Sequence, residues 1–330
     1  MRPFIFDQIR SPNEAFAAST GSASYLAGGT TLFDLMKLDV MQPERVVDIN
    51  PLEQTGAGQI EVSDKGLHLG SLVRMADAAD HPDIREQYPV IAQTLMLAAS
   101  QQIRNMASLG GNVLQRTRCT YFRDTSYAAC NKRSPGSGCA ALTGFNRSHA
   151  VLGTSDNCIA TYAGDFAQAL IALDATVETA GPGGGRTLSF ASLHRRPEKT
   201  PDKEANLQPN ELITGFTVPA KPWTKRSLYL KIRDRESYEF ALASAAVALH
   251  MENANVRDAR IALGGVATVP WRSIEAEASL QGKSLDDATL RSAADAAFSD
   301  AKGYGHNDFK ITLGKQTLIR ALKQVAAIEI

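Results

Sequence analysis

Apolar and polar positions along this chain fall into short blocks with two periods, one near two residues and one near 3.6. Pro3 to Ile9 reads as a strand. Ser11-Pro12-Asn13-Glu14 then carries a helix start, with a capping serine, proline at the first helical position and glutamate three residues after the serine. That helix is expected to end near Ala18. Ser24 to Ala27 reads as a strand entering Gly28-Gly29-Thr30, and Thr31 to Lys37 has helical spacing, so the segment is strand, glycine turn, helix. Val46 to Ile49 is another strand, and Gln59 to Leu69 alternates about Asp64-Lys65-Gly66 as a hairpin does. Ala76 to Ser100 is predicted to be largely helical, with Ile91, Leu95, Leu97 and Ala98 on one stripe. It leads into a second glycine turn at Gly110-Gly111-Asn112.

Cys158 to Thr161 is predicted as a strand, and Asp165 to Leu173 as a helix with the acid in its first turn. Thr176 to Ala180 and Arg186 to Ser189 flank Gly181-Pro182-Gly183-Gly184-Gly185, a hairpin turn rather than a phosphate loop, because no helix follows it. Ile213 to Pro219 adds a strand. Beyond Lys221 the order changes to strands Ser227 to Ile232, Phe240 to His250 and Arg260 to Val266, followed by helices around Ala276, Leu285 to Phe298 and Lys310 to Ala327. Strands followed by helices predict an α+β arrangement with helices on one sheet face. Boundaries are expected near residues 55 and 222, giving parts 1–55, 56–222 and 223–330.

Composition adds mostly exclusions. The 35 lysines and arginines balance 35 aspartates and glutamates, which argues against a nucleic-acid surface. No apolar run approaches the roughly 20 residues of a membrane span, and Met1 to Asp7 lacks the apolar stretch of a signal peptide. The expected compartment is therefore the cytoplasm, unless a signal-bearing partner co-exports the chain to the periplasm. No G-x-S-x-G, H-E-x-x-H or G-x-x-x-x-G-K-[ST] pattern occurs, and the six histidines lack ligand spacing, so no hydrolytic chemistry is expected.

Cysteine usage changes the picture. All four cysteines, Cys119, Cys130, Cys139 and Cys158, fall in one 40-residue window, spaced C-x10-C-x8-C-x18-C. This is too open for a zinc ribbon and suits an iron-sulfur cluster, although disulfides and zinc remain alternatives. Asn131 to Gly138 is a loop sequence, which offers no core in which to bury a lone thiol. Between Arg116 and Ser155 six cations (Arg116, Arg118, Arg123, Lys132, Arg133, Arg147) stand against the single carboxylate Asp124. Such charge would stabilise an anionic thiolate cluster and lower the thiol pKa values.

The two glycine segments suggest a polyanion. Backbone N–H groups grip a pyrophosphate only where side chains do not block the approach, and both Gly28-Gly29-Thr30 and Gly110-Gly111-Asn112 meet that condition. The first also opens a helix. Beside a one-electron cluster, a flavin dinucleotide is the natural two-electron partner.

The order Ala27-Gly28-Gly29-Thr30-Thr31-Leu32-Phe33-Asp34-Leu35-Met36-Lys37, then Arg104-Asn105 with Ala107-Ser108-Leu109-Gly110-Gly111-Asn112, Gly164-Asp165, Lys231 and Gly264-Gly265-Val266-Ala267 with Pro270 and Arg272 resembles the FAD-binding medium subunit of the molybdenum hydroxylases. The likeness runs through nearly the whole chain. The cysteine loop, about 116–158, looks like that of aldehyde oxidoreductase flavin subunits with an extra [4Fe-4S] cluster. The middle subunit of hydroxybenzoyl-CoA reductase, whose ligands are spaced differently, is the runner-up. A stand-alone flavin oxidase and a zinc-stabilised nucleotide-binding module are rival readings from other classes.

By that resemblance the fold is α+β, a two-part FAD-binding fold of the vanillyl-alcohol oxidase type plus a C-terminal α+β domain of the carbon monoxide dehydrogenase flavoprotein type. The implied FAD contacts are Tyr25, Leu26, Ala27, Gly28, Gly29, Thr30, Thr31 and Leu32 around the pyrophosphate and ribityl, and Ser108, Gly110, Gly111 and Asn112 as a second loop. Asp165 would bond the flavin or ribityl, Ile213 would pack on the ring, and Lys231 would place a cation near the flavin. Cys119, Cys130, Cys139 and Cys158 would hold the [4Fe-4S] cluster. The implied partners are a large molybdenum-cofactor subunit, a small subunit with two [2Fe-2S] clusters, and an external electron acceptor.

Overall fold

Residues 1–329 are described by the computed structural model. Three short strands and two helices build the first part. β1 (Ile5–Gln8) and β2 (Ala23–Leu26) flank β3 (Arg45–Asp48) in a parallel sheet. Helix α1 (Pro12–Ala18) starts as predicted: the Ser11 hydroxyl accepts the Glu14 N–H at 3.3 Å, and the Glu14 carboxylate accepts the Arg10 N–H at 2.8 Å. Helix α2 (Leu32–Lys37) buries Leu32, Leu35 and Met36, and no side chain caps its N-terminus.

The second part is a five-stranded antiparallel sheet of β4 (Ile60–Ser63), β5 (Gly66–Gly70), β6 (Thr176–Gly181), β7 (Gly184–Ser189) and β8 (Leu212–Pro219), ordered β4-β5-β8-β6-β7. Seven helices lie between β5 and β6. The single helix predicted over 76–100 is three: α3 (Met75–Asp80), α4 (Pro82–Gln87) and α5 (Pro89–Met96). Pro82 and Pro89 each open a new helix, because proline lacks the N–H that would continue the old one and pushes the preceding residue, His81 or Tyr88, out of helical geometry. Helices α6 (Gln101–Met106), α7 (Leu109–Val113), α8 (Thr120–Arg123) and α9 (Phe166–Ala172) follow. The second glycine segment is therefore the start of α7 and not a turn. The strand predicted at 158–161 does not form; Cys158 only bridges back to Ser155.

An antiparallel sheet of β9 (Ser227–Ile232), β10 (Ala243–Glu252), β11 (Asn255–Gly264) and β12 (Trp271–Arg272) forms the third part, with α10 (Ile274–Leu280), α11 (Asp287–Ala297) and α12 (Phe309–Ala326) against it. β11 begins five residues before the predicted Arg260. Asn253 and Ala254 both adopt positive φ, which closes a two-residue hairpin that matches strand twist. Every residue of α9 is buried, and Phe166 and Leu170 share one core with Phe216 of the second sheet and Ala246 and Ala262 of the third. This shared core fixes Asp165, just before α9, between the two sheets. Among the described residues no helix is long and apolar enough to cross a membrane.

Candidate functional site

Two adjoining clefts share Thr30 and Thr31. The first is lined by Tyr25, Ala27 to Leu32, Ser108, Gly110, Gly111, Arg116 and Ile213. In the first glycine segment the backbone N–H groups of Gly29, Thr30, Thr31 and Leu32 find no acceptor among the described residues, since helical bonding starts with Phe33 N–H to Gly29 C=O. Four successive open N–H groups at a helix start form an anion-binding nest. Glycine is required there. A Cβ on Gly28 would sit 2.7 Å from the Met106 carbonyl carbon and 2.9 Å from Ala107 Cα, and Gly29 has φ +72.

The second glycine segment behaves differently from the expectation that its amides also grip the ligand. Gly110 N–H donates to Ser71 C=O at 2.8 Å, Gly111 N–H to the Ser108 hydroxyl at 3.2 Å, and Asn112 N–H to Ser108 C=O at 2.8 Å. These donors are spent inside the protein. Ser108, Gly110 and Gly111 contribute a bare wall to the first cleft, while Asn112 lines the second.

The second cleft is lined by Met75, Asn112, Arg118, Asp165 and the segment Arg235 to Phe240. The Asn112 side-chain oxygen and Arg118 Nε are buried there without a partner. Orphaned polar atoms of both kinds facing one cleft fit a polar ligand that supplies their missing bonds. Ile213 lies in the first cleft and Asp165 in the second, so the two do not face the same stretch of ligand.

Lys231 does not line either cleft. It is buried behind Asp165, its ammonium 2.7 Å from Asp165 Oδ2 and 3.0 Å from the Leu97 carbonyl, while the Tyr229 hydroxyl donates to Asp165 Oδ1 at 2.5 Å. Its cation neutralises and aims the carboxylate, and Asp165 presents the result to the cleft. Breaking a buried pair by removing one partner costs about 3–5 kcal/mol. Lys231→Met is therefore expected to lower unfolding free energy by about that much, and adding Asp165→Asn should recover part of it, as read by denaturant titration.

All four cysteines line one small cavity together with Phe122 and Ala160. Cys119, Cys130 and Cys158 are buried, Cys139 is half-buried, and all four are free thiols. Burial pushes the Cys119 thiol up to about 12, whereas a hydrogen bond from Cys158 draws Cys139 down and holds Cys158 up. The Ala160 N–H donates to Cys158 Sγ at 3.4 Å. Among the described residues no group of three or more His, Cys, Asp or Glu is placed to hold a single metal ion.

Five of the six loop cations are engaged away from the sulfurs. Arg118 and Arg123 both clamp Asp34 of α2 at 2.8 Å, Arg116 pairs with Glu204 at 2.6 Å, and Arg147 with Asp234 at 2.7 Å. Arg133 bonds the carbonyls of Tyr121, Phe122 and Tyr127. Only Lys132 acts on a cysteine, Cys158, and it also reaches Glu204 at 3.6 Å. Carboxylates distant in sequence cancel the apparent excess of charge. Two groups escaped the sequence reading: Arg116 on the first cleft, and the 235–240 segment over the second, where Tyr238 has φ +54. The run Arg235-Glu236-Ser237-Tyr238-Glu239-Phe240 between two strands was the available signal. His149, with no ligand spacing in the sequence, lies with Nε2 3.1 Å from Cys119 Sγ.

Comparison with known proteins agrees with this arrangement. Residues 8–221 match the family "FAD binding domain in molybdopterin dehydrogenase", and residues 228–325 match the "CO dehydrogenase flavoprotein C-terminal domain". The aldehyde oxidoreductase FAD-binding subunit PaoB of Escherichia coli is 44% identical, with 99% of each chain covered. The glyceraldehyde dehydrogenase medium chain of Sulfolobus acidocaldarius is 24% identical, with 98% of each covered. A solved carbon monoxide dehydrogenase from Hydrogenophaga pseudoflava superposes with a TM-score of 0.76 at 25% identity, covering 99% of this chain and 98% of that one. An α+β fold with both domains in order, an open amide nest at the first cleft and full-length similarity to a flavin subunit lead to one assignment: the chain belongs to the FAD-binding subunits of the molybdenum hydroxylases, as an oxidoreductase subunit of the aldehyde oxidoreductase and xanthine dehydrogenase family.

Proposed function

We propose that this chain is the FAD- and [4Fe-4S]-carrying electron-transfer subunit of a heterotrimeric molybdenum aldehyde oxidoreductase. When bound, the flavin supplies two-electron and the cluster one-electron redox chemistry. The observation that carries the reading is the convergence of all four cysteines, scattered over 40 residues, on one small cavity. The Ala160 N–H, which donates to Cys158 Sγ, stabilises that sulfur as a thiolate.

Within this reading the nest of Gly29 to Leu32 binds the pyrophosphate, and Tyr25, Leu26, Ala27 and Gly28 flank it. Asp165, held by Lys231 and Tyr229, orients the ring in the second cleft. Ile213 lines the first cleft beside the nest, where it packs on the bound flavin nucleotide. Lys231 acts through Asp165. The three sheets support division near residues 55 and 222, with the cysteine loop as an insertion in the middle part.

Aldehyde oxidation would take place on a molybdenum-cofactor large subunit, with a small subunit carrying two [2Fe-2S] clusters between it and this chain. The 44% identity to an aldehyde oxidoreductase subunit favours this over a hydroxybenzoyl-CoA reductase arrangement. Co-purification with metal and flavin counts tests it. One FAD, eight irons and one molybdenum per complex are expected; four irons, or turnover of an aldehyde by this chain alone, would overturn it.

A further inference from the structure

We propose that His149 tunes the cluster assigned to this chain: its Nε2–H donates to the sulfur of Cys119 and raises the reduction potential of the centre. The inference rests on the [4Fe-4S] reading above. Nε2 lies 3.1 Å from Cys119 Sγ, and both residues are buried. The other ring nitrogen, Nδ1, is buried with no partner. A proton on Nδ1 would have no acceptor, whereas one on Nε2 points at a sulfur that carries negative charge once it ligates iron. The geometry therefore selects the tautomer that donates to the thiolate.

The backbone that carries the ring is held from several sides. His149 N–H donates to Asn146 C=O at 2.9 Å, and the Asn307 side chain donates to the carbonyls of His149 and Ala150 at 3.4 and 3.0 Å. Lys310, fully buried, donates to Ser148 C=O at 3.0 Å and Gly265 C=O at 2.7 Å and locks the backbone beside the ring to the third sheet. A donor held this firmly is preorganised for one acceptor.

Its position gives the bond a purpose. A third cavity is lined by Cys119, His149, Gly164, Asp165 and Phe240 and shares Arg118, Asp165 and Phe240 with the second cleft. Cys119 is the cysteine that this cavity reaches, so His149 acts on the cluster corner that faces the proposed ring. Hydrogen bonds to cluster sulfurs favour the more negatively charged reduced state. His149 acts through Cys119 and is a positioning residue, not a catalytic one.

The test uses the purified complex with His149→Leu, which removes the donor, and His149→Gln, whose side-chain N–H reaches a similar point. Iron content and potentiometric titration followed by electron paramagnetic resonance are measured for both. Wild-type iron in both variants is expected, with the leucine variant's reduction equilibrium about tenfold less favourable, about 59 mV more negative for one electron. The glutamine variant should stay near wild type. Loss of the cluster in the leucine variant alone also supports the donor role. Unchanged midpoints in both variants at full iron content, or equal loss of iron from both, would overturn it. A wild-type complex without the four-iron signal would instead refute the cluster itself.

Discussion

Cys130→Ser is expected to strip the iron of this subunit to background, lower the yield of assembled complex severalfold and leave flavin in place. Serine is nearly isosteric, and the Cys130 backbone is held independently of its thiol: its N–H donates to Ala128 C=O and to the Ser137 hydroxyl, each at 3.0 Å. The loop can therefore keep its path while losing one of four thiolates. A hydroxyl ligates iron weakly at neutral pH because it stays protonated, and three sulfurs leave one iron open to solvent and oxidant. Assembly should suffer because the loop sits on α2 and on residues around Glu204 through its arginines and Lys132, so its shape reaches beyond the cavity. Iron analysis and gel filtration of the co-expressed subunits decide the matter. Full iron with normal assembly would remove Cys130 from the ligand set.

Flavin loss without iron loss is the expected signature of Gly28→Ala. The added methyl would press on backbone atoms of Met106 and Ala107, which cannot swing aside as a side chain does. Overpacking of this kind costs about 1–3 kcal/mol, and relieving it moves the strand-to-helix junction whose open N–H groups form the nest. Each 1.4 kcal/mol of lost binding is about tenfold in affinity, so a loss of FAD affinity of roughly fivefold to a hundredfold is anticipated. Gly183→Ala is the control. Nothing lies within 4 Å of a Cβ there and its φ is not left-handed, so its effect should stay within about 0.5 kcal/mol. Flavin released on denaturation, measured per chain, separates the two; equal flavin content would show that Gly28 is not required for close approach.

Local chemistry was legible in the residue order and distant pairing was not. The Ser11 cap, the first glycine junction, the Gly181–Gly185 hairpin and the clustering of thiols all depend on neighbours in sequence, and each reading of that kind had the physics it needed. The helix predicted over 76–100 failed where periodicity was weighed above Pro82 and Pro89. Gly110-Gly111-Asn112 looked like a turn because glycine disfavours helix, yet the Ser108 cap and contacts with Ser71 supply what the glycines lack. The charge argument for the cysteine loop failed for a different reason. Asp34, Glu204 and Asp234 lie 84 to 89 residues from the arginines they neutralise, and only the fold brings them together. Likewise Ile213, on β8, and Asp165, at the start of α9, come to line different clefts through the packing of that helix between two sheets, which no local pattern records.

Asp34 sits in the first turn of the helix that the first glycine junction opens, and it grips two arginines of the cysteine loop. Whatever steadies that helix therefore also steadies the loop, and by thermodynamic reciprocity the influence runs equally the other way. Under the proposed assignment, flavin and cluster are therefore weakly linked through Asp34: each raises the chain's affinity for the other, by less than is lost when the other's own site is broken.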